Sequence, residues 1–303
     1  MSFNPSDNRF AIIAEATAGT TPATPAFITF EHEESNNVNY TAEWIDSPNV
    51  KPNRGSAGGR NVSFSTTGSL SSHVFRDPAI DLLLESGLSG SFTADVLKGG
   101  AADKSLTIEK RMGVSGGYRY HRVSGSQVSK TSFSGKASEN CMIAFDTVGM
   151  AFDNDGAIIT GATYADPAST TRLAGPDVTV SIAGLTVDHL SYSVDVEFAR
   201  SAQFKFGSTA ARGIGTSGVR KVSGEIEFFM PASDYFATLA DPDGLALTIT
   251  MGSGANGYEL LIPRAQFQIP EDANDGSAII VKAGFMGADD DALGTNIQIT
   301  RLA

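Results

Sequence analysis

Cysteine, tryptophan and proline are all scarce in this chain of 303 residues: one Cys, one Trp and 12 Pro. The lone Cys141 excludes an intramolecular disulfide framework and a thiolate metal cage, so stability has to come from packing or self-association. Basic residues are also few, 22 Lys+Arg against 34 Asp+Glu, giving a formal net charge of −12. A surface of that sign does not grip nucleic acid or an anionic membrane, although DNA can slide past it. No window approaches 18 consecutive apolar residues, so no membrane-spanning helix is expected. The stretch from Met1 to Ala16 lacks the basic and apolar regions of a secretory signal, and synthesis in a cytoplasm is the expectation.

What the chain does have is 41% hydrophobic residues, enough for a real core, and 32 Gly. The apolar residues recur at every second position, as a half-buried strand requires. Val194, Val196 and Phe198 alternate with Ser193, Asp195 and Glu197; Val178, Val180 and Ile182 behave alike, as do Leu245, Leu247, Ile249 and Met251. Two stretches have the three-to-four spacing of a short amphipathic helix opened by Pro and a polar cap, Asp77–Ser86 and Pro231–Ala240. The expected fold is all-β, mainly antiparallel, with one short helix in each half.

That symmetry extends to an internal repeat. Arg60–Ser63 (RNVS) matches Arg220–Ser223 (RKVS) at an offset of 160, Glu43-Trp44 matches Glu197-Phe198 at 154, and Arg54-Gly55 matches Arg212-Gly213 at 158. Leu106–Ile108 matches Leu247–Ile249 at 141, and Gly117-Tyr118 matches Gly257-Tyr258 at 140. The expected organisation is an arm over 1–25, a first β-sandwich or partly barrel-like domain over 26–152, a linker or hairpin insertion over 153–177, and a second such domain over 178–303.

No motif for chemistry sits in the context it needs. Gly213-Ile-Gly-Thr-Ser-Gly218 has the spacing of a dinucleotide loop but runs into a strand, where the phosphate site requires a helix N-terminus. Gly113-Val-Ser-Gly-Gly117 has the spacing of a nucleophile elbow but continues as an extended segment. His32, His73, His121 and His189 are scattered singly, and the Asp clusters at 153–155, 241–243 and 289–291 lack the ligand pattern of a calcium loop and read as turns. Neither enzymatic activity nor any cofactor or metal is expected.

Each half therefore has the order strand, long Gly- and Arg-containing loop, strand, short helix, further strands. Carried by the Glu43-Trp44 and Glu197-Phe198 strands, the loops 47–59 and 201–219, and the Arg60 and Arg220 strands, this order resembles the tail tube protein of long-tailed, siphovirus-like bacteriophages, in the type whose tube domain is duplicated. The resemblance implies a structural virion protein that assembles into stacked rings and forms a channel for DNA delivery. It implies a ring of three chains with pseudo-sixfold symmetry, contacts with tape-measure and tail terminator or tip proteins, non-specific DNA transit and no membrane insertion. On it, Arg54, Gly55, Gly59, Arg60, Arg212, Gly213 and Arg220 are expected in assembly loops. Asp195, Glu197, Glu225 and Glu227 are expected as lumen or rim charges that keep the channel from binding the genome, as are Glu33-Glu34 and Asp289–Asp291. The competing functions are another phage tail or capsid-decoration component, and a carbohydrate-binding β-sandwich, for which one Trp and seven Tyr give thin support.

Overall fold

The computed structural model describes residues 7–114, 116–154, 157–168, 171–231, 235–274 and 278–303. The first half runs β1 (Arg9–Ala14), β2 (Ala26–Phe30), β3 (Asn37–Asp46), β4 (Gly59–His73), α1 (Pro78–Leu88), β5 (Val96–Lys98), β6 (Leu106–Val114), β7 (Gly117–Lys136), β8 (Met142–Gly149) and β9 (Ala151–Asp153). After β10 (Thr163–Ala165) and a 3-10 turn at Gly175–Asp177, the second half runs β11 (Val178–Ile182), β12 (His189–Glu197), β13 (Arg200–Gln203), β14 (Gly213–Thr216), β15 (Lys221–Phe229), α2 (Phe236–Leu239), β16 (Leu245–Ser253), β17 (Asn256–Phe267), β18 (Glu271–Asn274), β19 (Ile279–Ala288) and β20 (Gln298–Arg301).

One antiparallel sheet runs through both halves in the order β3–β4–β8–β7–β12–β15–β19–β18. The order β3–β4–β8–β7 in its first part recurs as β12–β15–β19–β17 and β18 in its second, because β17 and β18 lie in succession along β19. Gly68 stands opposite Val38 and Thr147, and Gly224 stands opposite Val194 and Phe285 at the matching place. Around these glycines the buried residues coincide: Thr66, Leu70 and Ser72 on β4, and Val222, Ile226 and Phe228 on β15. The similar tetrads Arg60–Ser63 and Arg220–Ser223 are therefore four places out of step with the burial pattern, since Arg220 falls where the first half has Phe64.

Alternation decides which side of this sheet is covered. On β12 the side chains of Tyr192, Val194 and Val196 are buried, and so are Ile143, Phe145 and Thr147 on β8. Over that side in the first half lie α1 and an outer sheet, β10–β2–β1–β6–β7–β9; in the second half lies β11–β16–β17–β20–β5. The 20-residue β7 belongs to both layers, its first part pairing with β6 and its second with β8 and β12. It bends at Gly125, whose φ of 66° suits glycine, and the Glu15 carboxylate accepts the Gly125 N–H at 2.8 Å and the Thr107 hydroxyl at 2.7 Å to hold the bend. One hydrophobic cluster extends from Phe10 and Ile12 through Leu83 and Phe145 to Ile226, Tyr258 and Ile299.

The first helix forms as the sequence dictates. Pro78 opens it, Asp77 accepts the Ala79 N–H at 2.8 Å, and Ile80, Leu83, Leu84 and Leu88 are buried along one side. Ser89 closes it with a left-handed φ of 51°. The second helix is shorter than the expected 231–240, a single turn over Phe236–Leu239, with 232–234 outside the described residues.

Two segments differ from the sequence reading. Residues 9–14, placed in an N-terminal arm, form β1 between β2 and β6 with Phe10, Ala11 and Ile12 fully buried. The glycine-rich stretch starting at Gly213, read as a loop, opens with strand β14, which pairs with β13 as a hairpin.

The halves are joined at several places. In the inner sheet, β12 pairs with β7 from Ser191 opposite Lys136 to Glu197 opposite Lys130. On the outside, β5 of the first half adds to β20 of the second. Between them, the Tyr258 hydroxyl donates to Asp81 at 2.9 Å while Arg301 pairs with Asp81 at 2.9 Å. Burial pushes the Asp81 carboxyl above its ordinary range, against the pull of Arg301 and Tyr258.

Candidate functional site

The side of the inner sheet away from the core carries no second layer among the described residues, and Ser69, Asp146, Glu197 and Glu225 along it are exposed. Cross-strand pairing sets its side chains in rows. One row reads Asn37, Ser69, Asp146, Lys130, Glu197, Lys221. A second reads Lys136, Ser191, Glu227, Lys282, Glu271. Between them lie Ser132, Asp195 and Ser223, and then Ser134, Ser193 and Glu225. Short hydroxyls and alternating charges thus replace the bulky residues of the covered side.

All four acidic residues expected at a lumen or rim are on this one side, on the neighbouring strands β12 and β15. Three of them are held by lysine. Lys130 Nζ lies 3.1 Å from Asp195 and 3.6 Å from Glu197, and Ser132 donates to Asp195 at 2.6 Å. Burial pulls the Lys130 ammonium down, but the bond from Asp195 and the charges of both carboxylates outweigh it, and its affinity for the proton rises. Lys282 pairs with Glu227, which also accepts from Ser191 at 2.6 Å; these bonds, Lys282 first, hold its carboxyl below the usual range. Glu225 has no ion pair among the described residues. Acids outnumber lysines in these rows, and the ammoniums of Lys130 and Lys282 are already neutralised. Those two ammoniums therefore offer phosphate little to exchange for its counterions.

The expected loop residues divide. Arg54 sits at the tip of the β3–β4 turn with φ 60°, its N–H donating to Lys51 O at 2.8 Å, and its side chain is exposed with Gly55 next to it. Gly59 and Arg60 begin β4 at the base of that turn; a Cβ at Gly59 would lie 2.6 Å from Ile45 O. Arg212 is exposed beside Gly213. Arg220 is different: it donates to Asn296 Oδ1 at 3.1 Å and to Leu88 O at 3.3 Å inside the chain, with its guanidinium pressed on Gly99.

The β12–β15 connection lies across the first half. Phe198 N donates to Ser129 O at 2.8 Å, Phe64 N to Thr209 O at 2.9 Å, and Ala211 N to Met150 O at 3.2 Å. Its anchor is Arg200, which sequence reasoning passed over: the side chain is buried and donates to Ser89 at 2.6 Å and Asp103 at 3.0 Å. No local signal marked it, because Ser89 and Asp103 lie about a hundred residues away. The β3–β4 connection has no such bed. It projects with Val50 75% exposed, and at the other hairpin tip Phe206 is fully exposed.

Cys141 is buried and free, with its thiol pushed up by burial. No group of three potential metal ligands occurs among the described residues, and no helix there is long and apolar enough to cross a membrane. The Gly113–Gly117 stretch is the turn between β6 and β7, with Ser115 outside the described residues. A search of curated proteins returns no match. A family profile described as phage tail tube protein matches residues 5–295.

Proposed function

The chain belongs to the phage tail tube protein family and is a structural component of the virion tail, a self-assembling subunit of the tube that conducts DNA; from that premise we propose that three chains close a ring with pseudo-sixfold symmetry. The observation that carries this reading is the recurrence of β3–β4–β8–β7 as β12–β15–β19–β17 within one sheet. Two copies of one unit, about 9–152 with β1 included and 178–303, with 153–177 between them, then supply two of six equivalent wall segments.

The uncovered, serine- and carboxylate-bearing side of the inner sheet faces the lumen. Two of its four lysines, Lys130 and Lys282, are occupied by carboxylates, and acids outnumber lysines along it, so the phosphate backbone passes with few bound ions to displace. Arg54 and Arg212, exposed at the turns, make contacts between subunits or between stacked rings. The tape-measure protein fills the lumen before ejection, and terminator or tip proteins cap the ends. The structural role accounts for the chain without a catalytic step.

Native mass spectrometry and negative-stain microscopy of the concentrated protein test the proposal. Masses in multiples of three chains and stacked rings with a central pore are expected; a stable monomer, or rings of six chains, would overturn it. Replacing Arg54 and Arg212 together by Glu should lower tube yield, and unchanged yield would remove those residues from the assembly role.

A further inference from the structure

The outer sheet of the second half ends at β11, which pairs only with β16 among the described residues. The other outer-layer ends, β5, β9 and β10, are three residues long, whereas β11 has five. We propose that the free edge of β11 takes up an extended segment of another protein of the tail, added antiparallel, with two large apolar residues at alternate positions.

The first half supplies the template. β1 stands to β6 as β11 stands to β16: Ile12 faces Ile108 and Ile182 faces Leu247, while Ile108 faces Val123 and Leu247 faces Ile262. The register shifts after Leu106 and after Leu245 fall at the same place in the two ladders. On its other side β1 carries β2, with Ile12 opposite Ile28 and Phe10 opposite Phe30. Residues 15–36, between β1 and β3, supply that strand; residues 183–188, between β11 and β12, contain none. β11 therefore has no counterpart of β2 beside it.

The backbone and the floor of this edge suit a strand of the β2 type. Ala183 N–H donates to Ala246 O at 2.9 Å, so in the antiparallel ladder Ser181 and Thr179 also point their backbone groups at β16, and Val180 points its N–H and C=O away. Neither Val180 group has a partner among the described residues. The Val180 side chain is only partly buried, where Phe10 at the matching place is fully buried. Between β11 and the inner sheet lies a cavity of about 240 Å³, lined by Val178, Val180, Val187, His189, Leu190 and Tyr192. An added strand gains main-chain bonds from β11 and sets its alternate side chains over this cavity, as β2 turns Phe30 to the side of Phe10. The β2 strand of a second copy is not free to do so, because β1 and β10 hold it in its own chain.

The probe is a fluorescein-labelled peptide with the sequence of residues 25–31, followed by anisotropy against the full-length protein. One peptide should bind per chain, at least tenfold more tightly than the same peptide carrying Ile28→Asp and Phe30→Asp. In the protein, Val180→Pro removes an N–H that faces the free edge, a change that an edge strand tolerates, and it should weaken binding at least tenfold with an unchanged circular dichroism spectrum. The altered peptide tests the apolar pattern on the unmodified protein, whatever the fate of the variant. No saturable binding, or equal binding by the altered peptide or by the folded variant, overturns the proposal. Tubes of pure Val180→Pro protein should form as those of the natural protein do; their loss would assign the β11 edge to a second copy of this chain and overturn the choice of another protein.

Discussion

Tyr258 on β17 donates its hydroxyl to Asp81 on α1 at 2.9 Å, across 177 positions of sequence and from one half of the chain to the other. Asp81 is mostly buried, and Arg301 is its other partner at 2.9 Å. Tyr258→Phe removes the donor and leaves the carboxylate with less compensation for its lost water, a cost of about 1–3 kcal/mol. Chemical denaturation should show a lower midpoint with an unchanged slope. The Asp81 carboxyl should titrate higher still in the variant, which a carboxyl-resolved NMR titration would reveal.

Two glycines on neighbouring elements should respond in opposite ways. A Cβ at Gly224 would lie 2.0 Å from Ser193 O and 2.7 Å from the Phe285 ring, so Gly224→Ala forces β12 and β15 apart and costs about 1–3 kcal/mol or more. A Cβ at Gly213 meets nothing within 4 Å. Gly213→Ala should change stability by less than about 0.5 kcal/mol, despite its place in a motif of nucleotide-loop spacing. Thermal unfolding of the two variants decides the matter.

The ion pairs of the uncovered side predict a pH window. Glu227 titrates below its ordinary value of 4.5 in the folded chain, so its contribution is present above that value and is lost as pH falls through the folded pKa. Lys130 titrates above its ordinary 10.5, so its contribution is present below that value and is lost as pH rises through the folded pKa. These partly exposed pairs are worth at most about 1 kcal/mol each. The Tm difference between the natural protein and Lys282→Ala should be largest near neutrality and should close in acid; a difference that persists at pH 2 would refute the pairing.

Freeing a lysine should make the wall sticky. Asp195→Asn with Glu197→Gln removes both partners of Lys130 and leaves its ammonium exposed to a passing phosphate. Assembled tubes of this variant should retain short duplex DNA in a salt-dependent way, with the log–log slope steeper by about 0.9 for each phosphate engaged. Tubes of the natural sequence should show little retention under the same conditions.

Much of the strand pattern was legible because alternation of Val194 and Val196 with Asp195 and Glu197 fixes which side each residue takes. The same alternation put the four candidate acids on one side. Their lysine partners were not legible, since Lys130 lies 65 and 67 positions before Asp195 and Glu197 and is brought there only by the β7–β12 pairing. The place of β1 was hidden by its continuous apolar run, Phe10 to Ala14, which has no alternation to show that it is a central strand buried from both sides. The tetrads beginning at Arg60 and Arg220 misplaced the repeat by four residues: two short strings alike at three of four positions outweighed the glycines Gly68 and Gly224, whose equivalence depends on packing. Arg220 consequently turned out to be an internal clasp between Asn296 and the end of α1.

The short strand β5 has its own consequence. It extends the outer sheet of the second half through Leu97 opposite Ile299, and the second half has no strand between α2 and β16 to return the favour. In the proposed ring of three chains, every seam inside a chain is bridged on its outer surface by β5, and this bridge has no counterpart from the second half at a seam between chains. A visitor travelling through the lumen meets six nearly identical walls, while a protein gripping the rim meets three bridged and three open seams. The same object can therefore present one periodicity to its cargo and another to the machinery at its ends.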